Sequence, residues 1–411
     1  MLIKSSTELV RQQNSALVLA TLRRLGPLSH TDISEHTGLA SATVSAITAE
    51  LERAGVIEKA EQQVPSGRGR PRVLFAQRRD SGFLIAVRIS SDVVQYSLVD
   101  YSGRLIDRFE EPRNHKVAGT QHFADEFLDA LARLIHRSRL EKAQILAVSI
   151  SSKGTVDADG KRLLWSPVFG GEQIDFVSLL QPEWRAKVTL NNETLLVAQA
   201  LGMKADASQS GAFRALAALS LGHSIGLGVA RKDRFGELEV TAPNFGHMLH
   251  AANGCLCRCG AFGCIEASAG FYGILRTAFE VPPDTIPAKF VPLAEMDKIA
   301  LSARQGNRMA GYAFRQAGIA LGNGLSRLLS LYGRMPIHIT GPGTRYFDLL
   351  QRGIDEGLEQ SHEVRLQGRP DISVIVDEQR LVFEGHLDRA LTDMDHDIAA
   401  FRPLPASADQ A

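Results

Sequence analysis

Residues 246–267 read GHMLHAANGCLCRCGAFGCIEA. All four cysteines of the chain lie there, as Cys255, Cys257, Cys259 and Cys264, and His247 stands eight residues before the first. Thiols inside cells are kept reduced, so a cluster of them in a chain without secretory features favours metal over disulfides. Zn2+ takes four N/S ligands in a tetrahedron, and one His with three Cys supplies that set. Four protein ligands leave no open coordination position, so such an ion is structural. The alternatives are buried free cysteines or a redox pair.

A length of 411 residues predicts two to four domains, at about 100–200 residues each. Forty-six Lys+Arg balance forty-six Asp+Glu, which argues against a basic nucleic-acid coat and a highly charged disordered chain. Hydrophobic residues make up 44 %, enough for sizeable cores. No apolar run approaches the ~18 residues of a membrane span, and the opening MLIKSSTELV is too polar for a secretory signal. The expectation is a soluble cytoplasmic protein that makes no use of a membrane. The neutral total hides an asymmetry. Residues 1–80 hold eleven Lys/Arg against eight Asp/Glu, and residues 62–79 carry Arg68, Arg70, Arg72, Arg78 and Arg79 with no acid. Such a strip suits a small DNA-contacting module, or a solvated linker.

Helical spacing favours the module. Val18, Leu22 and Leu25 form one stripe of a first helix that ends near Gly26-Pro27. Ser29 with Asp32 resembles a capping box for a short second helix, which Gly38 breaks. Ser41 is the expected N-cap of a third helix, with Val44, Ile47 and Leu51 on its buried face. Two short helices joined by a Gly-containing turn form a helix-turn-helix, a pattern shared with some protein-interaction modules. Docking by that face leaves Ser41, Ala42, Thr43 and Ser45 outward, where such a helix meets base edges and phosphates. Val56-Ile57-Glu58 and Val73-Leu74-Phe75 are expected to pair as a wing. Between them runs Ser66-Gly67-Arg68-Gly69-Arg70-Pro71-Arg72, whose arginines suit a narrow A·T minor groove.

From Gly82 the pattern becomes FLIAVRIS, VVQYSLVD and RLIDRFEE, an antiparallel meander, followed by a helix over about 119–139. The strands ILAVSIS and KVTLN and a helix from Glu193 come next. The theme recurs with ALAALSLG and SIGLGVAR, long helices in 295–333, the strand PIHIT and a helix from Tyr346. This predicts an α/β fold with two lobes and a cleft between them, where small ligands usually bind. The expected division is 1–80 for the winged helix-turn-helix, 81–200 for the first lobe (completed by 375–400), 201–374 for the second, and a disordered tail over 402–411.

Cys257 to Glu266 spell C-x-C-G-x-x-G-C-x-E, the signature of the ROK family of repressors, open reading frames and sugar kinases. With the helix-turn-helix and the GRGRP element, nearly the whole chain resembles that family's repressor branch, which includes regulators responding to glucose, N-acetylglucosamine and xylose. The resemblance implies two actin-like (ribonuclease H-like) lobes. It also implies Zn2+ ligands at His247, Cys257, Cys259 and Cys264, with Cys255 a bystander.

The same resemblance allows a check for kinase chemistry. The family's first phosphate loop, Asp-x-Gly-Gly-Thr, is matched here by Arg88-Ile89-Ser90-Ser91-Asp92, without the glycines that admit phosphate. Its Asn-Asp pair, which carries the catalytic base, is matched by Asn191-Asn192, and an amide cannot accept the hydroxyl proton. Gly222–Gly228 and Gly341–Gly343 remain, readable as ordinary glycine turns. Sugar contacts carried over by position are Asn191, Asn192, Asn244, His247 and Glu266, where Asn244 replaces a Glu. Asn still donates and accepts hydrogen bonds, so a neutral polyol site is expected. The implied function is a non-enzymatic, homo-oligomeric (dimeric or tetrameric) repressor of carbohydrate-utilisation genes. It would bind an operator in double-stranded DNA and respond to a sugar or sugar phosphate. The rivals are a sugar kinase with an added DNA-binding domain, and a regulator whose effector is a protein such as a transport component.

Overall fold

The structure is a computed structural model that describes residues 2–60, 73–113, 120–169, 171–208 and 213–400, with side chains from residue 7 onward. Arg68, Arg70, Arg72 and the 402–411 tail lie outside the described residues.

The N-terminal module consists of helices α1 (Leu2–Leu25), α2 (His30–Thr37) and α3 (Ser41–Arg53), then strands β1 (Ile57–Ala60) and β2 (Leu74–Gln77). The capping box forms, with Ser29 and Asp32 exchanging bonds through side chain and backbone, and Gly38 ends α2 in the left-handed conformation. One expectation needs correction. The cap of α3 is Ala40, whose carbonyl accepts from Val44 N–H at 3.0 Å, so Ser41 is already the first helical residue. Val44, Ile47 and Leu51 are buried as read, together with Thr48. β1 and β2 pair antiparallel, Ile57 opposite Gln77 and Ala60 opposite Leu74, and make the wing.

The body repeats one motif. Strands β3 (Phe83–Ile89), β4 (Val93–Asp100) and β5 (Leu105–Pro112) form the meander, and α4 (Thr120–Ser138) leads to β6 (Ile145–Ser152). A small three-stranded excursion, β7 (Thr155–Val156), β8 (Arg162–Trp165) and β9 (Ile174–Asp175), precedes a short helix α5 (Phe176–Leu180) and β10 (Lys187–Asn192). Helix α6 (Glu193–Ser208) crosses to the second sheet, which begins with β11 (Ala215–Ser220), β12 (Gly226–Lys232) and β13 (Leu238–Thr241). Helices α7 (Ile265–Ala269), α8 (Phe271–Ala278), α9 (Leu293–Arg304) and α10 (Arg308–Tyr332) follow. The chain then forms β14 (Ile337–Thr340), α11 (Phe347–Glu359), α12 (His362–Gln367), β15 (Ile372–Val374) and α13 (Glu378–Ala400). The first sheet runs β10-β6-β3-β4-β5 and the second β13-β12-β11-β14-β15. In each, a central strand pairs antiparallel with the meander on one side and parallel with later strands on the other. Strands β13 and β15 and the excursion were absent from the sequence reading. They are too short or too polar to show alternation.

Between the sheets lie α6 and α13. A Cβ on Gly228 would overlap the carbonyl of Thr194, so β12 meets α6 backbone to backbone. A Cβ on Gly385 would overlap the carbonyl of Leu196, which seats α13 on α6 equally closely. The expected 200/201 division therefore falls inside a helix that packs on the second sheet. Helix α13 also packs on β3, β6 and α1. Its buried His386 bridges Ser149 and Ser151 of β6 at 2.8 and 2.9 Å. Burial pushes that imidazole down to about 3, so it is neutral in ordinary buffers.

Farther along α13, Asp395 receives Arg23 Nη1 of α1 at 2.7 Å, with Nη2 on its other oxygen, and the Tyr101 hydroxyl from the end of β4. The Asp395 side chain is 1 % exposed. Around it Val18, Leu19 and Leu22 of α1 share one core with Leu84, Val99, Ala390, Leu391 and Met394. The DNA-type module is thus packed onto the body. Asp395→Ala would leave a guanidinium largely buried without its carboxylate, a loss of about 3–5 kcal/mol. We expect its melting temperature to fall, whereas Asp393→Ala, half-buried on the same helix with only a 3.8 Å solvent-facing pair to Lys187, should melt close to the parent.

Candidate effector cleft and metal centre

The metal-type cluster gathers the four residues that the resemblance implies. His247 closes a 3-10 turn (Phe245–His247), and Cys264 caps α7. A tight turn in which Cys257 N–H donates to the Ala261 carbonyl brings Cys257 and Cys259 alongside. The ligand atoms of His247, Cys257, Cys259 and Cys264 all lie within 4.8 Å of one another. Cys257 Sγ is 3.6 Å from His247 Nδ1, and the Cys259 and Cys264 sulfurs are 3.7 Å apart. Two sulfurs bound at about 2.3 Å in a tetrahedron would stand about 3.8 Å apart, so the donor set fits a four-coordinate ion. Cys255 is half-buried and outside the group. The Tyr272 hydroxyl donates to Cys257 Sγ at 3.4 Å.

One wall of this cluster is also a wall of the cleft. A cavity of about 40 Å3 is lined by Asn192, Asn244, His247 and Glu266, with Lys153 and Trp165. Trp165 meets His247 edge-on with ring centres 5.0 Å apart. Glu266 is buried, accepts from Ile225 N–H at 3.1 Å and from the Tyr272 hydroxyl at 3.4 Å, and burial pushes its carboxyl up to about 7. Asn244 is exposed and accepts weakly from Thr155 Oγ1 at 3.5 Å. Asn192 makes three bonds: its Nδ2 donates to Gly154 O at 2.6 Å, and its Oδ1 accepts from Thr194 N–H and Oγ1, which leaves its second Nδ2 hydrogen for the cavity it lines. Asn191 does not line the cavity; it is buried and donates to Ser149 Oγ at 3.5 Å. Four of the five expected contacts are therefore gathered and the fifth lies behind them.

The side of the cleft matching the family's phosphate loop is occupied by the protein's own charges. Arg88 Nε lies 3.0 Å from Glu193 and its Nη2 3.8 Å from Glu378, while Lys153 Nζ lies 4.0 and 3.6 Å from the same two carboxylates. Ser220 at the end of β11 donates to Glu378 as well. Burial disfavours the Glu378 carboxylate, but Lys153 and Arg88 outweigh it and hold its pKa below the usual range. Two cations and two anions from β3, the β6 end, α6 and α13 thus neutralise one another. Sequence reasoning saw that Arg88 heads the altered loop but not its partners. Glu378 sits in no motif, and no local signal could have placed it there.

Residues 85–354 match the ROK family and residues 12–63 the MarR family. The chain belongs to the ROK family. Curated relatives include the xylose repressor of Caldicellulosiruptor bescii, 26 % identical over 94 % of this chain and 97 % of its own. The transcriptional dual regulator NagC of Escherichia coli K12 is 25 % identical over 85 % of each chain. Among solved structures, a ROK family transcriptional regulator homologous to the E. coli Mlc protein has a TM-score of 0.73 at 19 % identity, covering 95 % of this chain and 99 % of that one. The ROK glucokinase of Streptomyces griseus, solved with glucose and AMPPNP, has a TM-score of 0.54 at 21 % identity over 75 % of this chain and 99 % of its own. The body thus has the fold of both regulators and sugar kinases, preceded here by a MarR-type helix-turn-helix.

The bonds of Asn192 make its replacement costly. Asn192→Asp would set a carboxylate against the Gly154 carbonyl and strand that acceptor, a destabilisation of about 1–3 kcal/mol. A lowered melting temperature would show it; a melting temperature equal to the parent's would mean that the Asn192–Gly154 bond contributes nothing.

Proposed function

We propose that this chain is a cytoplasmic DNA-binding repressor of carbohydrate-utilisation genes, modulated by a sugar or sugar phosphate held between its lobes and without kinase activity. The observation that carries the reading is the loss of phosphoryl-transfer parts beside a retained ligand wall. An amide locked by three hydrogen bonds stands in the base position, and the Arg88/Glu193/Glu378/Lys153 cluster stands on the phosphate side. General-base assistance worth about 10²–10⁴-fold has no group to supply it at Asn192. The relatives' names, xylose repressor and NagC, favour a regulator over an enzyme.

The proposed division of labour follows. Residues 1–80 read DNA. Lobe 81–200 with 375–400 and lobe 201–374 hold the effector through Asn192, Asn244, His247 and Glu266, with Asn191 supporting from behind. Ser41, Ala42 and Ser45 are exposed and Thr43 half-exposed at the start of α3. Ala40 makes no side-chain cap, so the first-turn N–H groups are free to meet a phosphate. Arg68, Arg70 and Arg72 would add minor-groove contacts. Two copies on a two-fold axis would read half-sites about one helical turn, or a multiple of it, apart. Zn2+ would be held by His247, Cys257, Cys259 and Cys264, where it has no open position and serves structure, fixing one face of the His247 ring while the ring lines the cavity.

Purified protein should retard a fragment of its own upstream region at near-physiological salt and spare a scrambled one, and one sugar of a panel should raise its melting temperature and change that retardation. Indifference to every fragment overturns the DNA reading. DNA binding without any sugar response would point to a protein effector, and ATP-dependent phosphorylation of a hexose would restore the kinase. Removing the metal with a chelator should lower the melting temperature and weaken DNA binding. Verified metal loss with both unchanged would refute the structural role.

A further inference from the structure

A second opening is far larger than the small cavity beside His247. A cleft of about 800 Å3 lies between β4, β5 and α4 of the first lobe and the metal loop with the 286–289 segment of the second. That volume is within the range of small-molecule sites, about 300–1,000 Å3. Trp165 and Pro167 line both spaces, so the indole divides them.

The wall is aromatic and its charges are unevenly paired. Tyr96, Phe123, Trp165 and Phe169 supply flat apolar surface. Most of its acids are already engaged. Glu111 pairs with Arg133, Glu126 with His122, and Glu172 accepts the Thr120 N–H. Asp129 is exposed on α4. The cations differ. Half-buried Arg113 lies over Phe169 at 4.7 Å and Phe123 at 5.8 Å, and donates to the Ser90 carbonyl at 3.5 Å. No ion pair joins Arg113 or Lys289 to a carboxylate among the described residues. Burial lowers the Arg113 pKa, and the attraction of Glu126 and Asp92, neither within ion-pair distance, offsets that only in part. A carboxylate supplies that partner, because a guanidinium fork matches its two oxygens.

We propose that this cleft is a second ligand site for a small amphipathic organic anion, with its carboxylate on Arg113, its flat apolar body against Phe169 and Trp165, and Lys289 at the rim. The site stands independently of the sugar reading, since it uses neither Asn192, Asn244 nor Glu266. Its walls come from both lobes, so an occupant has differential contacts with their spacing and can bias it.

The test is calorimetric titration of the full-length, metal-loaded protein with 2-naphthoate and with its neutral counterpart 2-naphthalenemethanol. The acid should saturate one site per chain and bind about 10- to 100-fold more tightly than the alcohol. Arg113→Gln should abolish that difference with the melting temperature unchanged, and Lys289→Ala, at an exposed position, should weaken the acid about two- to fivefold. Equal affinity for acid and alcohol, or no saturable binding of the acid, overturns the proposal. So does an Arg113→Gln protein that melts like the parent and still prefers the acid. If that variant fails to fold, the acid-to-alcohol ratio and Lys289→Ala decide. Neither probe is a sugar, so the result leaves the effector reading to its own experiment.

Discussion

Helix α13 makes the molecule one mechanical unit, and its two charged ends are the constraint on which the rest depends. Its first residue, Glu378, is held in the cleft by Arg88, Lys153 and Ser220. Near its far end Asp395 holds α1 through Arg23 and the first sheet through Tyr101. The helix has 23 residues, a rod of about 34 Å. Helix α13 lies between the first sheet and α6, and α6 lies on the second sheet, so any change in lobe spacing would bear on the helix against which the DNA-type module packs. A ligand alters DNA affinity only through such a difference between arrangements. A buried carboxylate shared by three elements cannot follow the movement of one alone without losing a partner, which is why the coupling can be tight.

The charge cluster at the cleft end is balanced within the protein. A phosphate loop built of glycine leaves anion-sized space lined with N–H groups. Here Arg88 stands near the end of β3, at the head of the run without those glycines, and a lone buried guanidinium would be strongly unfavourable. Glu193 and Glu378 make it tolerable, and Lys153 balances the second carboxylate. The same four charges then tie β3 and the end of β6 to α6 and α13.

How much of this was legible follows from the range of each signal. The capping box at Ser29, the buried stripe Val44, Ile47 and Leu51, the three strands of the first meander and β11 and β12 of the second are local, and each appears where the pattern puts it. The clustering of His247 and the four Cys within eighteen residues was legible from spacing, but leaving out Cys255 rested on the family resemblance. Ser41 was misplaced by one residue because a Ser beside an Ala is the better cap by propensity, while the backbone starts its helix from Ala40. Asn192 reads as a residue without a base, but its bond to Gly154 depends on the bend at 153–154, which no periodicity announces, while its two bonds from Thr194 are local. Arg23 with Asp395, and Arg88 with Glu378, are separated by most of the chain. A single sequence gives no means of pairing them.

The metal loop and the cleft share one imidazole and one indole. His247 turns one nitrogen toward Cys257 and also lines the small cavity, while Trp165 rests edge-on against it and forms the partition with the larger cleft. An ion at the cluster would fix the imidazole ring and thereby the resting place of the indole. The excursion that carries Trp165 comes from the first lobe and the cluster belongs to the second. The contact between the two rings is therefore an interlobe contact, set on one side by coordination and on the other by a short strand. Trp165 and Pro167 are the residues common to the walls of the two cavities, so occupancy of either space would press on the same partition.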